Sequence, residues 1–210
     1  MTKADDLPPK SPSRIQQRNR RLILDAALDV FSAHGFRGAT LDQIAAQAGL
    51  SKPNILYYFA SKEEIHVTLL GSLLDTWLDP LKQMDPDGDP LSEILAYVHR
   101  KLDLAFTLPR ESRLFANEIL QGAPRISSHL EGELKPLVDH YASIMQGWMD
   151  TGKIARCNPV HLIFSIWATT QHYADFAAQI DILEPDTATL REEARAYLNQ
   201  MFTRMLTATA

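Results

Sequence analysis

Apolar residues recur at steps of three and four along most of the chain, which is the spacing of amphipathic helices. We find no segment with the strict alternation that predicts a strand. Near the N-terminus, Leu24, Ala27, Leu28 and Phe31 share one face of a first predicted helix, which should end near Gly35. The pattern therefore predicts an all-α fold.

Two short helices are predicted next. Thr40 and Gln43 have the spacing of a capping box and begin a helix of about two turns that ends at Gly49. Ser51 is placed to cap a third helix, with Pro53 in its first turn, where a missing N–H costs no intrahelical bond. Two such helices joined by a glycine turn predict a helix-turn-helix unit.

The remaining chain is also predicted to be helical. Ser61 and Glu64 have capping-box spacing and begin a fourth helix, which runs to about Met84. The segment DPDGDP at 85–90 breaks it, because prolines and a glycine cannot continue a helix. Five further helices are predicted, at about 91–107, 110–121, 127–151, 160–180 and 188–207.

The net charge differs in sign between the two predicted parts of the chain. Residues 1–62, a helix-turn-helix domain with a flexible N-terminal arm, carry nine Lys and Arg against five Asp, a net charge of +4. Residues 63–210, the predicted larger helical domain, carry −9 of the total charge of −5. A basic domain followed by an acidic domain indicates that only the basic domain binds a polyanion.

Composition excludes several classes of protein. No apolar stretch approaches the roughly 18 residues of a membrane span, and the N-terminus lacks the apolar core of a signal peptide. We therefore expect a cytoplasmic protein that does not bind a membrane. The single Cys157 predicts no internal disulfide. The seven histidines are scattered without a metal-ligand or nucleophile motif, so we predict no metal, no cofactor and no enzyme.

The third predicted helix has side chains suited to reading DNA. Ile55 and Phe59 can pack back on the first helix and leave the opposite face free. Lys52 and Asn54 then lie in the first turn, where a lysine can donate to guanine and an asparagine can pair with adenine.

Phosphate contacts are predicted around this helix. Tyr57 and Tyr58 point about 100° apart, so one surface cannot bury both, and their hydroxyls suit phosphate oxygens. Thr40 and Lys62 stand where helices begin and free backbone N–H groups favour anions. Aromatic runs are more often core, and we accept that interpretation for Phe59. The predicted DNA-binding residues are Thr40, Lys52, Pro53, Asn54, Tyr57, Tyr58 and Lys62.

The stretch ILDAALDVFSAHGFRGATLDQIAAQAGLSKPNILYYFASKEEI, residues 23–65, resembles without gaps the DNA-binding domain of the TetR family of bacterial transcription regulators. The resemblance implies a homodimer that binds a palindromic operator on double-stranded DNA, and a repressor released by a small ligand in the C-terminal domain. Leu56 stands where the family commonly has a phosphate-binding tyrosine. Tyr57 or Tyr58 is expected to replace it.

A ligand site is predicted in the larger domain. Trp167 and Gln171 are four residues apart and share a helix face, which presents an indole beside an amide. Trp77 lies among leucines on the fourth helix. An aromatic wall with an amide suits a small planar ring carrying C=O and N–H groups, although each residue taken singly is more often core.

The segments SRLFANEILQGAP and HLIFSIWATTQHYADFAAQ narrow the ligand, because within the TetR family they resemble regulators of pyrimidine utilisation. That resemblance implies uracil or thymine as effector, with Trp77, Trp167 and Gln171 as pocket residues. It also implies control of genes for pyrimidine breakdown or nitrogen use.

Two alternatives keep the DNA-binding domain and change the ligand. A TetR-type repressor of a drug or fatty-acid response would use apolar walls such as Phe106 and Met145 and would not need Gln171. A DNA-binding protein without any effector would not need so large a second domain.

The last two predicted helices carry stripes suited to a four-helix dimer interface. One stripe consists of the small residues Ala168, Thr169, Ala174, Ala177 and Ala178, and the other of Leu190, Ala194, Leu198, Met201, Phe202 and Met205. Packing within one chain would use the same pattern. Ligand binding is expected to shift the population away from the DNA-binding spacing of the dimer.

Overall fold

The computed structural model describes residues 13–184 and 188–207, in which all regular structure is helical, and the all-α prediction is confirmed. The helices are α1 (Arg14–Gly38), α2 (Leu41–Ala48), α3 (Lys52–Tyr58), α4 (Lys62–Lys82), α5 (Pro90–Thr107), α6 (Pro109–Leu120), α7 (Ser127–His129), a π-helical segment (Leu130–Leu134), α8 (Lys135–Asp150), α9 (Pro159–Asp175), α10 (Ala177–Leu183) and α11 (Leu190–Leu206). The predicted N-terminal arm lies, up to residue 12, outside the described residues. No helix in the described ranges is long and apolar enough to cross a membrane.

The chain divides into two compact units, one ending at His66 and the other beginning at Val67. The sequence placed the boundary at 62/63, where α4 begins. The division falls later because Ile65 and His66 are buried in the first unit. The His66 ring lies 4.7 Å from the ring of Phe31 and 4.9 Å from that of Phe36, between centroids.

The first unit is built from α1, α2, α3 and the start of α4. The predicted capping box of α2 is present, since the Thr40 hydroxyl accepts from the Gln43 N–H and the Gln43 side chain accepts from the Thr40 N–H. Gly49 ends α2 with φ of 64°, a backbone conformation that glycine adopts without strain. Gly35 interrupts α1 with φ of 66°, but the helix then continues to Gly38.

The core of the first unit explains how so short a helix as α3 is held. Ile55 and Phe59 are buried, as predicted, together with Ile23, Phe31 and Ile44. Because a helix of seven residues is unstable alone, this apolar packing fixes α3 and leaves its other face free.

The start of α4 differs from the prediction in one bond. The Ser61 hydroxyl accepts from the Glu64 N–H at 3.1 Å, as in a capping box. The Glu64 carboxylate, however, accepts from the N–H of Ala60 at 2.6 Å. Ser61 therefore caps the helix as predicted, and only the reciprocal bond to the Glu64 side chain comes from one residue further upstream.

The second unit has its core between α5, α8, α9 and α11. Buried residues from all four helices form one cluster, which includes Val98, Met145, Ile163 and Phe202. The break at 85–90 is confirmed, and Asp89 caps α5 by accepting from the Ser92 N–H.

Two predicted helices are subdivided. The helix predicted at 127–151 contains a π-helical turn at Leu130–Leu134, a deviation that is often found at functional sites. The helix predicted at 160–180 is interrupted at Phe176, whose ψ of 24° separates α9 from α10.

The stripe predicted on the last helix for a dimer is largely core of its own chain. Ala194, Leu198 and Phe202 are buried within the second unit, and Met201 packs against the same cluster. Met205 alone in that stripe is substantially exposed, at 42%. Intrachain packing uses the same periodicity as a dimer interface, which is why the pattern could not separate the two.

Candidate functional sites

The exposed face of α3 carries the side chains predicted to read bases. Ser51 caps the helix by accepting from the Asn54 N–H, and Pro53 lies in the first turn. Lys52, Pro53 and Asn54 are all exposed. The Lys52 ammonium lies 2.9 Å from a carboxylate oxygen of Asp42, an exposed ion pair that holds the side chain weakly.

The two tyrosines at the end of α3 differ in their surroundings. Tyr57 is 71% exposed, and its hydroxyl accepts from the Gln16 side chain at 3.4 Å. Tyr58 is half-buried, and its hydroxyl accepts from Asn19 at 2.9 Å. Leu56 is 44% exposed. The surface therefore presents most of Tyr57 and part of Tyr58.

The structure shows contacts of the Lys62 side chain that the sequence did not predict. Its ammonium donates to the carbonyl oxygens of Phe36 and Ala39, both at 2.7 Å, and lies 4.4 Å from the Phe36 ring centroid. These contacts tie the end of α1 to the start of α4. The side chain is thus engaged inside the first unit, and only the first-turn backbone of α4 keeps the predicted disposition toward anions.

An arginine that the sequence reasoning missed supports α3. The Arg20 guanidinium lies 4.1 Å from the Phe59 ring centroid and donates to the Tyr58 carbonyl at 3.2 Å. A signal was present, since Arg20 belongs to a basic run just before the apolar face of α1.

A cavity of about 590 Å³ lies in the second unit between α6, the π-helical segment and the end of α9. We call it the outer chamber. Its walls are mainly apolar, with polar groups from Arg113, Asn117, Gln171 and Asp175. A cavity of this size, mostly apolar with a few polar groups, is typical of sites for small organic ligands.

A second cavity of about 60 Å³, which we call the inner chamber, adjoins the first. The two share four residues: Phe115, Leu134, Trp167 and Gln171. Trp77 lines the inner chamber only. The three predicted pocket residues thus come together at the inner chamber, and two of them also face the outer one.

The indole of Trp167 is held in place by a hydrogen bond, because its Nε1 donates to the Tyr97 hydroxyl at 2.6 Å. Tyr97 is buried, and burial raises its pKa, so the hydroxyl stays protonated. No hydrogen bond to the Gln171 amide is formed within the described ranges. Its donor and acceptor are therefore available to a ligand.

The structure adds Lys101 to the inner chamber. This residue is only 3% exposed, and burial lowers the pKa of its ammonium to about 8. Sequence reasoning missed it, although Lys101 interrupts the apolar stripe of α5 at helical spacing from Val98 and Ala105. A lone charge on an apolar face was the signal that could have found it.

Asp175 and Ser112 are further polar residues of this region that the sequence did not identify. The Ser112 hydroxyl donates to the Asp175 carboxylate at 2.6 Å. Burial raises the pKa of Asp175, against the opposing effects of the Ser112 hydrogen bond and of Arg113 and Lys101.

The structure also gives the positions of four further residues of this unit. Asn117 lines the outer chamber, whereas Glu118 is buried and forms an ion pair with Arg125 at 3.0 Å. Phe106 and Met145, named as walls for an apolar ligand, line neither chamber. Met145 belongs to the hydrophobic core of the unit, and Phe106 packs against it. No group of three or more metal-ligating side chains occurs in the part of the chain that the structure describes.

Fold and sites together define a class of protein: a helix-turn-helix DNA-binding protein with a ligand cavity in a separate helical unit. Comparison with known families agrees. Residues 23–67 match the family model "Bacterial regulatory proteins, tetR family" and residues 70–209 match "YcdC-like protein, C-terminal region".

Known relatives place the chain further. It is 47% identical over 188 residues to the HTH-type transcriptional regulator RutR of Escherichia coli strain K12, and the alignment covers 90% of this chain and 87% of RutR. It is 30% identical over 145 residues to the transcriptional repressor NicS of Pseudomonas putida, covering 62% of this chain and 67% of NicS. The chain therefore belongs to the TetR family.

Solved structures share the fold. A transcriptional regulator of Streptomyces coelicolor, SCO4942, superposes with a TM-score of 0.66 at 26% identity over 90% of this chain and 98% of its own. AibR, solved in complex with isovaleryl coenzyme A and operator DNA, superposes with a TM-score of 0.68 at 17% identity. The superposition covers 87% of this chain and 97% of AibR. Membership of the TetR family, and not these structures, makes the protein a ligand-responsive transcriptional regulator that binds operator DNA as a dimer, and not an enzyme.

Proposed function

We propose that the effector of this regulator is a pyrimidine base such as uracil or thymine, bound where the two chambers meet, and that the controlled genes serve pyrimidine breakdown or nitrogen use. The observation that carries the proposal is the position of Gln171 and Trp167. Both line both chambers, so a flat ring and an amide converge on one point of the cavity.

The chemistry of this point fits a pyrimidine. Trp167 is fixed by Tyr97 and offers a rigid aromatic surface for a planar ring. The Gln171 amide can donate to a ring carbonyl and accept from the neighbouring ring N–H. The likeness to regulators of pyrimidine utilisation supports the same ligand.

The DNA contacts proposed are those of α3 and its surroundings. Lys52 and Asn54 read base edges from the exposed first turn, with Pro53 beside them, while Thr40 and Tyr57 contact phosphates. Tyr58, which is half-buried, is proposed as a further phosphate contact. Lys62 takes part through its backbone N–H, because its ammonium is engaged inside the first unit.

The switch is a shift of population between conformations. The helix α4 carries Lys62 at its start and Trp77 in its later part, so one helix belongs to both units. A ligand that prefers a conformation unsuited to the operator lowers DNA affinity by its differential affinity for the two states. We propose that the protein is a repressor that the pyrimidine releases from its operator.

Isothermal titration against uracil, thymine and cytosine tests the ligand. We expect uracil or thymine to bind with higher affinity than cytosine, whose ring presents a different order of donors and acceptors. Equal binding of all three, or binding of none, would refute the pyrimidine proposal.

A variant tests the role of the amide. Gln171→Leu leaves a ring edge without its partner and should weaken binding by roughly 1 to 3 kcal/mol. Gln146→Leu is the matched control, because Gln146 is exposed on α8, donates to Asp150 and lines neither chamber. Equal affinities of the two variants would show that Gln171 does not read the ligand.

The volume of the outer chamber supports a second candidate. Its largely apolar walls, including Ile119, Leu120 and Phe176, could hold a longer apolar effector such as a drug or fatty acid. Such a ligand would bind Gln171→Leu as well as the unmodified protein, and so the same variant separates the two functions.

A further inference from the structure

The inner chamber contains a buried cation. Lys101 lines this chamber and is 3% exposed. Its ammonium lies 5.4 Å from the centroid of the Trp77 ring, and no carboxylate of the described residues forms an ion pair with it. A buried charge without a hydrogen-bonded counterion destabilises a fold, so its presence requires an explanation.

Trp77 supplies a second polar group that lacks a partner. Its indole Nε1 is buried, and nothing in the described ranges accepts a hydrogen bond from it. Buried indole N–H groups usually find an acceptor. Two donors without acceptors therefore belong to residues that line one small chamber.

We propose that the inner chamber receives an oxygen atom of the effector, a carbonyl or a carboxylate oxygen, with the Lys101 ammonium and the Trp77 N–H as its donors. The inference rests on the proposed function in placing the effector at this cavity. For uracil or thymine, one ring carbonyl enters the inner chamber. Gln171, which lines both chambers, then forms hydrogen bonds with the adjacent edge of the ring. Lys101 is then a residue that determines specificity, since it favours ligands with an acceptor at the inner end.

The groups around Lys101 agree with this assignment. From α4 the chamber is lined by Leu74, Trp77 and Leu78, none of them charged. From α9 the carboxylate of Asp175 acts on Lys101 from a distance and is itself engaged by Ser112.

Two other ionisable side chains of this region, Arg113 of α6 and His172 of α9, act on Asp175. Because burial lowers the pKa of Lys101 to about 8, the ammonium remains the main form at neutral pH. A bound oxygen acceptor would stabilise that charged form.

The test uses Lys101→Met in the full chain, with Lys82→Met as a control whose side chain is 47% exposed and lines neither chamber. Methionine keeps the length and apolar stem of lysine, and removing an uncompensated buried charge should not impair folding. The probes are uracil, thymine, benzoate and toluene, titrated calorimetrically. We expect Lys101→Met to lose about tenfold or more in affinity for the oxygen-bearing probe that binds, and Lys82→Met to lose none.

Proton exchange gives a second readout. Titrations at pH 8 in buffers of different ionisation enthalpy should show uptake of about half a proton on binding, because about half of Lys101 is neutral in the free protein at that pH. At pH 6 the uptake should be close to zero. The uptake should disappear in Lys101→Met and persist in Lys82→Met.

The outcomes separate this inference from the proposed function. Binding of benzoate but of no pyrimidine, with loss in Lys101→Met, would support the oxygen site and refute a pyrimidine effector. Binding of uracil with unchanged affinity in Lys101→Met and no proton uptake would support the pyrimidine and overturn the oxygen site. Toluene binding as tightly as the oxygen-bearing rings, or no probe binding at all, would also overturn it.

Discussion

Replacing Lys62 by methionine decides between the contact that the sequence predicts and the one that the structure shows. The sequence places this lysine at a DNA phosphate. In the structure its ammonium donates to the carbonyl oxygens of Phe36 and Ala39 at 2.7 Å. Methionine retains most of the aliphatic stem and removes only the charge and the donors.

The expected loss of stability follows from these contacts. Two hydrogen bonds from a charged donor contribute about 1.5 to 3 kcal/mol each when fully buried, and the contact with the Phe36 ring adds about 0.5 to 1 kcal/mol. Lys62 is only half-buried, so part of this is offset by water. We expect Lys62→Met to lower the free energy of unfolding by about 2 to 4 kcal/mol.

Urea denaturation followed by circular dichroism measures that loss. Lys52→Met is the control, since its ion pair with Asp42 is exposed and should contribute at most about 1 kcal/mol. Operator binding is then measured between low and moderate salt under conditions where both variants are folded. Loss of one phosphate contact from each DNA-binding unit of a dimer would reduce the salt slope, the dependence of log affinity on log salt concentration, by about 1.8.

Lys62→Met should leave the salt slope unchanged, because two carbonyl oxygens of the first unit already engage its ammonium. If instead the slope falls by about 1.8 and stability is unaltered, the structural interpretation of Lys62 is wrong and the sequence prediction is right. A loss in both measurements would mean that the ammonium serves both contacts.

Three further predictions test other parts of the molecule. Folding lowers the pKa of Lys101 from 10.5 to about 8, so between these pH values the unfolded chain binds more protons at this residue than the folded chain. The free energy of unfolding should therefore rise with pH, by about 2 kcal/mol from pH 8 to 10 relative to Lys101→Met, as measured by urea titrations. Tyr58→Phe should cost about 0.5 to 1.5 kcal/mol of stability by removing the acceptor of the hydrogen bond from Asn19, whereas Tyr57→Phe should weaken operator binding at unchanged stability in an anisotropy assay. Arg125→Met leaves the buried Glu118 carboxylate without its ion pair and should cost about 3 to 5 kcal/mol by denaturation.

Local signals predicted the first unit well. The cap of α2 at Thr40, the turn at Gly49 and the burial of Ile55 and Phe59 all depend on residues within a few positions of one another. Such short-range rules can be applied to a sequence before any tertiary contact is known.

The second unit depends on contacts that lie far apart in the chain, and sequence predicted less of it. The hydrogen bond that fixes Trp167 is donated by its own indole N–H to the hydroxyl of Tyr97, 70 residues away. The use of Leu198 and Phe202 in the intrachain core, and not in a dimer stripe, is decided by what packs on α11. Periodicity identifies an apolar face but not its partner.

Lys62 and Lys101 show how the structure assigns roles that residue type cannot. Both are lysines whose ammonium lies over an aromatic ring, that of Phe36 for Lys62 and that of Trp77 for Lys101. The ammonium of Lys62 has two carbonyl acceptors within its own unit, so its charge is already compensated and needs no ligand. The ammonium of Lys101 has an aromatic face and a remote carboxylate, and its charge costs stability until an acceptor arrives. Because ionisable groups with strongly perturbed pKa values cluster at functional sites, the uncompensated lysine, not the compensated one, is the residue to test first for effector binding.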